Sequence, residues 1–221
     1  FQEISCYHKT SKALLVTDAL VGISSTPPEL FDLDPTPILF HSRERGDEAL
    51  LDSIALREKG WARLVLFASF LRPYSLSIPS LGSVVINSFK PGLRNLKSHF
   101  GIYPFSWTDS WTDSLDELLG KNEPLLQIAP VIERLIFPRS KRIFLEWLQS
   151  LKSLNGIKFL IPAHYNAPLK FSSREVKRFT RKITKRKWAP SHENWGFLYS
   201  IDKALLERGV VPIDPMSRFK G

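Results

Sequence analysis

The chain has 221 residues, of which 43% are hydrophobic, 12% aromatic and 24% charged. This composition excludes a disordered protein and predicts one globular domain, or one domain with extensions. The single cysteine, Cys6, excludes an intrachain disulfide and a thiolate zinc cluster, and it is typical of a reducing compartment. Because Cys6 lies near the start of an apolar strand, we expect it to be buried and unreactive.

The net charge is +9, and the isoelectric point is near 9.7. Such a balance favours acidic partners such as nucleic acid, anionic lipid or an acidic protein, although a solvated basic face has the same composition. No apolar run reaches the roughly 20 residues of a spanning helix, which predicts a soluble or at most peripheral protein. The first residue is Phe1, which indicates a processed end or a boundary within a longer chain.

In chain order, the first predicted elements are a strand that ends in an acid and a helix. The apolar, partly β-branched run from Ala13 to Thr17 predicts a strand that delivers Asp18 at its C-terminal edge. Residues 47–59 predict a helix that Asp47 caps and Gly60 stops.

The middle of the chain predicts short elements separated by turns. Residues 61–71 indicate a second, more apolar helix, which Pro73 ends. The Val-Val-Ile centre of Ser83–Asn87 indicates a short strand. A duplicated Ser-Trp-Thr-Asp sequence fills residues 106–113, and its last residue is expected to cap a helix over residues 114–119.

A helix over residues 140–154 is the clearest element of the sequence. Its apolar residues recur at the spacing of one buried face; they are Ile143, Phe144, Trp147, Leu148 and Leu151. Asn155 and Gly156 close this helix, a strand over Ile157–Ile161 follows, and His164 lies in the next loop. The helix–strand–loop order predicts a layered α/β domain.

A strongly basic helix is predicted near the end of the chain. Ser172 and Glu175 form a capping box that opens a helix running to about Lys187. Its apolar stripe consists of Val176, Phe179 and Ile183. Its cations are Arg174, Lys177, Arg178, Arg181, Lys182, Lys185, Arg186 and Lys187. The tail from residue 188 onward is predicted to wrap the surface.

Asp18 and His164 are the two positions with the clearest chemical potential. Each follows an apolar strand, and in layered α/β folds functional groups collect at the carboxyl ends of strands. A carboxylate and an imidazole brought together there can bind a divalent metal or act as an acid–base pair. The alternative is a strand-end aspartate that caps a turn and a histidine that bonds to the backbone.

Several stretches together resemble a metallo-β-lactamase-like family of photosynthetic lineages, domain of unknown function 4336. The resemblance covers about residues 3–170 and leaves the basic helix and tail outside it. Its stretches are residues 3–9, 13–18, 37–41, 60–67, 72–73 and 160–168.

This resemblance implies a fold and a metal site. The fold is α/β: the second half of an αββα metallo-β-lactamase-like sandwich over residues 1–170, followed by the basic helix and wrapping tail over 171–221. In the wider superfamily an aspartate after a strand bridges two metals and a late histidine is a further ligand. Asp18 and His164 resemble these two positions, as a vestigial or partial metal site. The family's distribution implies a chloroplast protein, in the stroma or peripheral to a membrane.

The ligands are too few for a complete catalytic metal site. A catalytic zinc takes about three protein ligands, whereas the superfamily's His-x-His-x-Asp-His motif is absent and would lie upstream of Phe1. No cofactor is therefore expected from this chain alone, and zinc or another divalent metal is expected only if an upstream half supplies ligands. His8 and His41 are expected to be surface or hydrogen-bonded histidines, and His99 and His192 to be structural.

Two functional hypotheses follow. The first is a non-catalytic binding or assembly subunit of a plastid complex, and the second is a metal-dependent hydrolase of unknown substrate; we favour the first. The predicted binding residues are Lys177, Arg178, Arg181, Lys182, Lys185 and Arg186. An acidic protein surface or another subunit is the favoured partner, anionic lipid is second, and nucleic acid is the least favoured; a solvated face without a partner remains the alternative to all three.

Overall fold

The structure is a computed structural model that describes residues 3–119, 125–154, 156–185 and 193–212. Side chains are described for these residues except Lys97, Leu125, Lys182 and Lys185. About half of the described residues are helical, and the rest form short strands and connections. The fold is therefore mixed α/β, which confirms the predicted class at this level.

The strands of the described chain are short and form three sheets. In chain order they are β1 (Cys6–His8), β2 (Ala13–Val16), β3 (Val21–Ile23), β4 (Leu76–Ser77), β5 (Ser106–Trp107), β6 (Leu125–Gln127), β7 (Phe159–Pro162) and β8 (Leu169–Lys170). A four-stranded sheet has the order β1-β2-β7-β8, while β3 pairs with β6 and β4 with β5. The β2–β7 pair is parallel and the other pairs are antiparallel.

The α-helices vary widely in length. In chain order they are α1 (Leu30–Leu33), α2 (Thr36–Ser42), α3 (Ile54–Phe70), α4 (Leu81–Ser88), α5 (Trp111–Leu119), α6 (Pro130–Leu135), α7 (Phe137–Ser150), α8 (Ser173–Lys185) and α9 (Gly196–Glu207). Short 3-10 segments lie at Leu96–Gly101, which is kinked at His99 and Phe100, and at Leu151–Ser153 and Glu193–Trp195. Among the helices of the described residues, none combines the length and apolarity needed to cross a bilayer.

The chain divides into two compact units. Unit 1 consists of the described parts of Phe1–Ile23 and Pro124–Gly221, and unit 2 of the described part of Ser24–Glu123. Unit 1 contains the four-stranded sheet, the β3–β6 pair and helices α6 to α9, whereas unit 2 contains the β4–β5 pair and helices α1 to α5. The division at residue 170, between the predicted domain and the basic helix and tail, stays a prediction.

The four-stranded sheet of unit 1 contains both strands that the sequence analysis paired with ionisable residues. The predicted strand over 13–17 is β2, and the one over 157–161 is β7, shifted toward Pro162. Leu14 and Leu160 are partners across the parallel pair and are almost fully buried. β2 and β7 therefore form the centre of the sheet and anchor it to the core of unit 1.

Helix α7 supplies much of that core. Phe144, Leu148 and the following Leu151 are buried in one apolar cluster with residues of β2 and β7. The helix predicted over 140–154 is thus confirmed, although α7 begins at Phe137 and its last turn is 3-10. Ile143 lies on the exposed side, so its predicted burial is wrong; the predicted end at Asn155 lies outside the described residues.

Helix α8 begins at the predicted capping box. The backbone N–H of Ser172 donates to the Glu175 carboxylate at 2.9 Å, and the N–H of Arg174 donates to the Ser172 hydroxyl at 3.2 Å. Each bond satisfies a backbone donor that the first helical turn leaves free. Burial acts to raise the pKa of Glu175, but its hydrogen bonds with Ser172 and with its own backbone, together with the nearby cation Arg178, outweigh this effect, so the pKa lies below its usual value. The predicted end near Lys187 lies outside the described residues.

In unit 2, the two helices predicted around Gly60 are one helix. Ser53, not Asp47, caps α3 by accepting from the N–H of Leu56 at 3.3 Å, and α3 continues through Gly60 to Phe70. A methyl group at Gly60 would collide with the carbonyl oxygen of Ile38 in α2. Gly60 therefore permits close helix packing instead of ending a helix, and the predicted stop there is wrong.

Two further predictions in unit 2 are corrected. The strand predicted over Ser83–Asn87 is helix α4, whose first turn Ser80 caps by accepting from the N–H of Ser83 at 3.3 Å. The helix predicted to begin at Ser114 begins at Trp111, so Asp113 lies in its first turn and does not cap it. Short β-branched runs do not distinguish a strand from a helix when caps decide the backbone.

Candidate functional site

The edge of the parallel pair in unit 1 brings Asp18 and His164 together. Val16 and Pro162 are register partners at the ends of β2 and β7. Asp18 and His164 each lie two residues beyond these partners, and their Oδ1 and Nε2 atoms are 3.3 Å apart. The expectation that both lie at one rim of the sheet is confirmed, and the cause is the parallel register. Their role as metal ligands stays a prediction.

The surroundings of this pair hold it in place. The Glu3 carboxylate accepts from the backbone N–H groups of Thr17 at 3.0 Å and Ala19 at 3.2 Å, which fixes the turn on either side of Asp18. The side chain of Asp18 is 35% exposed and that of His164 is 62% exposed. Both side chains are therefore accessible to solvent, and an exposed pair of this kind contributes little to stability. Glu3 could not be recognised from the sequence, because no motif marks a carboxylate that folds back from an irregular segment.

The described residues do not complete a catalytic metal site at this pair. Carboxylate oxygen and imidazole nitrogen are suitable donors for zinc, but a catalytic zinc takes about three protein ligands. Within the described ranges, no group of three or more His, Cys, Asp or Glu side chains is placed to hold a metal ion. The pair thus supplies two ligands of a possible site and leaves the others to residues outside the described chain.

The other histidines of the chain lie in different settings. His8 is exposed and its Nδ1 lies 2.7 Å from the Ser11 hydroxyl, as expected of a hydrogen-bonded surface histidine. His41 is buried in unit 2, where burial and the nearby cations Arg63 and Arg43 lower its pKa to about 4. Burial also lowers the pKa of His99. His192 lies outside the described residues.

The environment of Cys6 differs from the predicted one. It is a free thiol on β1, at the edge of the four-stranded sheet, and it is exposed. Successive side chains of a strand point to opposite faces of the sheet, and on β1 Cys6 and His8 share the exposed face. The predicted burial of Cys6 is therefore wrong.

Helix α8 presents a cationic surface opposite its buried stripe. Val176, Phe179 and Ile183 are each 3% exposed or less and belong to the apolar cluster of unit 1. The other side of the helix carries exposed Arg174, Lys177, Arg178 and Arg181. Of the other predicted binding residues, Lys182 and Lys185 have side chains outside the description, and Arg186 lies outside the described residues. We call the exposed cations Arg174, Lys177, Arg178 and Arg181 the α8 face.

Unit 2 contains a cluster of buried cations that the sequence analysis did not find. Arg43 and Arg63 are 2% and 1% exposed. The Nη2 atom of Arg63 donates to both oxygens of the Glu44 carboxylate at 2.9 Å each. The Arg43 guanidinium lies over the rings of Phe40 and Tyr103, at 4.9 and 4.7 Å from their centres. Aromatic faces and one carboxylate therefore stabilise these cations inside the unit. Nothing in residue type distinguishes them from the exposed arginines of the chain.

The fold and the site define a mixed α/β protein. Asp18 and His164 lie at the carboxyl ends of β2 and β7, which among the described residues form its one pair of parallel strands. The profile of the family described as "Domain of unknown function (DUF4336)" matches residues 1–181, and the chain belongs to this family. The match reaches Arg181 and so includes most of α8, which the resemblance had left outside. Neither the curated proteins nor the solved structures include a significant match to the chain.

Proposed function

We propose that this protein is a non-catalytic binding or assembly subunit and that the α8 face is its contact with an acidic protein surface. The observation that supports this proposal most is the division of α8 into a fully buried apolar stripe and an exposed cationic side. A helix fixed in this way holds its cations at constant spacing, so a partner meets a prepared surface.

The charge distribution on α8 favours an external partner for these cations. Glu175 is the one acid of the helix, and it is engaged in the capping box with Ser172. The exposed Lys177, Arg178 and Arg181 are spaced at one, three and four residues, so they line one side of the helix. Cations on one side of a helix and complementary acidic groups on a partner increase the rate of association and make that rate dependent on salt.

The finer fold and the location belong to the same proposal. We propose that unit 1 derives from the second half of an αββα metallo-β-lactamase-like sandwich. The Asp18–His164 pair at the carboxyl ends of the parallel strands β2 and β7 supports this. A plastid location, in the stroma or peripheral to a membrane, is proposed from the family resemblance alone.

Affinity purification of the whole chain from the cells that produce it tests the proposal. In the test variant, Lys177, Arg178 and Arg181 are each replaced by Glu. In the matched control, Lys9, Lys152 and Lys158, which are exposed elsewhere on unit 1, are replaced by Glu, so both variants have the same net charge. Exposed substitutions shift stability by about 0.5 kcal/mol each, so both variants are expected to fold.

The expected result is an acidic protein that the wild type and the control retain and the α8 variant loses. When the acidic protein and the wild type are each purified and then mixed, their affinity should be at least about tenfold weaker at high salt than at low salt. Equal recovery of the same proteins with the α8 variant would contradict the proposal and return α8 to a solvated surface. Recovery that nuclease or detergent abolishes in wild type would instead identify nucleic acid or lipid as the partner.

A metal-dependent hydrolase is the second candidate, and the geometry of Asp18 and His164 favours it. Their 3.3 Å separation at adjacent strand ends fits two ligands of one ion, with at least one further ligand from outside the described chain. Zinc titration followed by calorimetry and elemental analysis tests this on wild type, Asp18→Asn, His164→Gln and the control His8→Gln. The hydrolase hypothesis predicts that the wild type and His8→Gln each bind one equivalent of zinc or more, and that Asp18→Asn and His164→Gln do not. If the wild type binds no zinc, or if all three variants bind it equally, the zinc site at Asp18 and His164 is excluded.

A further inference from the structure

Helix α4 of unit 2 exposes large apolar side chains along one side. Leu81 is 83% exposed, Ile86 69% and Val85 53%, whereas Val84 on the opposite side is buried. Phe89, the C-cap residue that follows α4 in helical conformation, is 64% exposed. At about 100° per residue, the four exposed side chains span an arc of about 140°. Gly82 lies within this arc, and a methyl group there would meet no atom of the described chain within 4 Å. We call Leu81, Val85, Ile86 and Phe89 the α4 face.

Backbone hydrogen bonds and close packing define the C-terminal end of α4. Phe89 and Lys90 donate their backbone N–H groups to Ile86 and Asn87 at 3.2 Å each. The following 3-10 turn then packs on the end of the helix at Gly101, where a methyl group would come within 3.0 Å of Ser88. The apolar side chains are therefore presented by a fixed helix.

Basic residues adjoin the α4 face and acidic residues are absent from its segment. Between Glu58 and Asp109 the sequence has no Asp or Glu, and two cations of this segment, Lys90 and Arg94, lie just beyond the C-terminal end of α4. The Arg94 guanidinium lies 5.5 Å from the ring centre of Phe89. Lys90 pairs with Asp47 at 3.1 Å, and Asp47 is shared with Arg45, so this end of α4 keeps an excess of positive charge.

A depression at the same end is suited to a small anion. It has a volume of about 460 Å³ and is lined by Phe89, Lys90, Pro91, Gly92, Arg94 and Asn95. Two cations beside an aromatic ring provide charge for a phosphate and an apolar edge for the chain attached to it. An apolar face with a cationic pocket at its border has the composition of a membrane-surface helix.

We propose that the α4 face, with Lys90 and Arg94, docks unit 2 on the surface of a membrane that contains anionic phospholipid. Leu81, Val85 and Phe89 enter the boundary between headgroups and acyl chains, and the two cations contact headgroup phosphates. The helix lies along the surface and does not cross the bilayer. The α4 face belongs to unit 2 and the α8 face to unit 1, so different variants test the two proposals and the failure of one leaves the other standing.

Vesicle co-sedimentation of the whole chain tests this docking. The probes are vesicles of phosphatidylcholine and phosphatidylglycerol in equal parts, and vesicles of phosphatidylcholine alone. The test variant replaces Leu81, Val85 and Phe89 by Gln. The matched control replaces Leu33, Leu51 and Ile54 by Gln, since these are also large, exposed apolar residues of unit 2. Circular dichroism and thermal melting confirm that each variant is folded.

The wild type and the control are expected to sediment with the phosphatidylglycerol vesicles. The α4 variant should bind these vesicles at least about tenfold more weakly, because apolar area drives interfacial binding. Replacing Lys90 and Arg94 by Gln should weaken binding about fivefold for each cation lost, whereas replacing Lys152 and Lys158 should have little effect. Sedimentation should be much weaker with phosphatidylcholine alone.

A second measurement protects the test against a misfolded variant. An environment-sensitive fluorophore on Val85→Cys, in a Cys6→Ser background, should report an apolar setting when phosphatidylglycerol vesicles are added and no change with phosphatidylcholine. Equal binding of wild type and α4 variant, no binding by wild type, or an unchanged fluorophore overturns the proposal. A wild-type dimer that the α4 variant converts to monomer also overturns it, because this face then joins two copies of the chain.

Discussion

One helix of each unit shows how differently the two units place apolar and charged side chains. In unit 1, α8 buries Val176, Phe179 and Ile183 and exposes its cations. In unit 2, α4 exposes most of its apolar side chains, while the interior of the unit contains the cations Arg43 and Arg63. The chain's net charge of +9 therefore does not indicate where its cations act.

This difference separates residues that hold the fold from residues that are free for binding. An apolar side chain stabilises a domain only when it leaves water on folding, so the α8 stripe contributes to stability and the α4 face contributes little. Conversely, a cation is available to a partner only when it remains exposed, as on α8. Matched substitutions in the two units test this separation, from the largest expected effect to the smallest.

The largest contrast is expected between Phe179→Ala and Phe89→Ala. Phe179 is 3% exposed within the apolar cluster, so its removal should leave a cavity and lower the free energy of unfolding by about 3–5 kcal/mol. Phe89 is largely exposed, so its removal should change that free energy by about 0.5 kcal/mol. Urea unfolding of both variants measures the difference. Similar losses for the two would mean that the α4 face is buried in the folded protein.

The buried charge of unit 2 should make its stability dependent on pH through His41. Its ordinary pKa of 6.5 is lowered to about 4 by burial and by the nearby Arg63 and Arg43. Above the unfolded value both states are neutral. As the pH falls from 6.5 toward 4, the unfolded chain binds a proton that the folded chain does not, so stability falls, by about 3 kcal/mol in total.

Urea unfolding of wild type and His41→Gln between about pH 7 and pH 4.5 checks this linkage. Protonation of carboxylates is common to both proteins and cancels in the comparison. The wild type should lose more stability than the variant over this range. If the two curves run parallel, His41 titrates alike in both states and its burial does not matter for stability.

A smaller contrast is expected between glycines in two helices of unit 2. Gly60→Ala in α3 should destabilise the protein by about 2–3 kcal/mol, because the new methyl group meets the carbonyl oxygen of Ile38. Gly82→Ala in α4 should stabilise it by about 0.5–1 kcal/mol, because that side of the helix is open and alanine favours helix. Thermal melting measures both; a stabilising Gly60→Ala would show that α2 and α3 are not closely packed in solution.

The sequence predicted the elements of unit 1 better than those of unit 2, for a physical reason. The stripe of α8 follows helical spacing and begins at a capping box, and both are local signals. Asp18 and His164 could be placed together because parallel strands end at the same edge. Gly60, however, has the sequence of a helix stop and the structural role of a spacer, which depends on α2 elsewhere in the chain.

The other misses have the same origin. The Val-Val-Ile run of α4 favours a strand by residue type, but the Ser80 cap and the packing of its C-terminal end on Gly101 select a helix. Cys6 is exposed because β1 lies at a sheet edge, and edge position is set by strand order. The buried Arg43 and Arg63 depend on aromatic rings and on Glu44, which become neighbours only in the folded unit.

Site-specific photo-crosslinking from the α8 face tests the central claim most directly. A photoreactive residue is placed at Arg178 in one protein and, as the control, at the exposed Lys158 in another, and both are irradiated in the cells that produce the chain. We predict a crosslink from position 178 to an acidic segment of a second polypeptide, and no such product from position 158. When a lysate of the same cells is irradiated instead, after its salt concentration has been raised, the crosslink from position 178 should be weaker. Crosslinks that are equal at both positions, or absent at position 178, would contradict the claim that α8 is a binding surface.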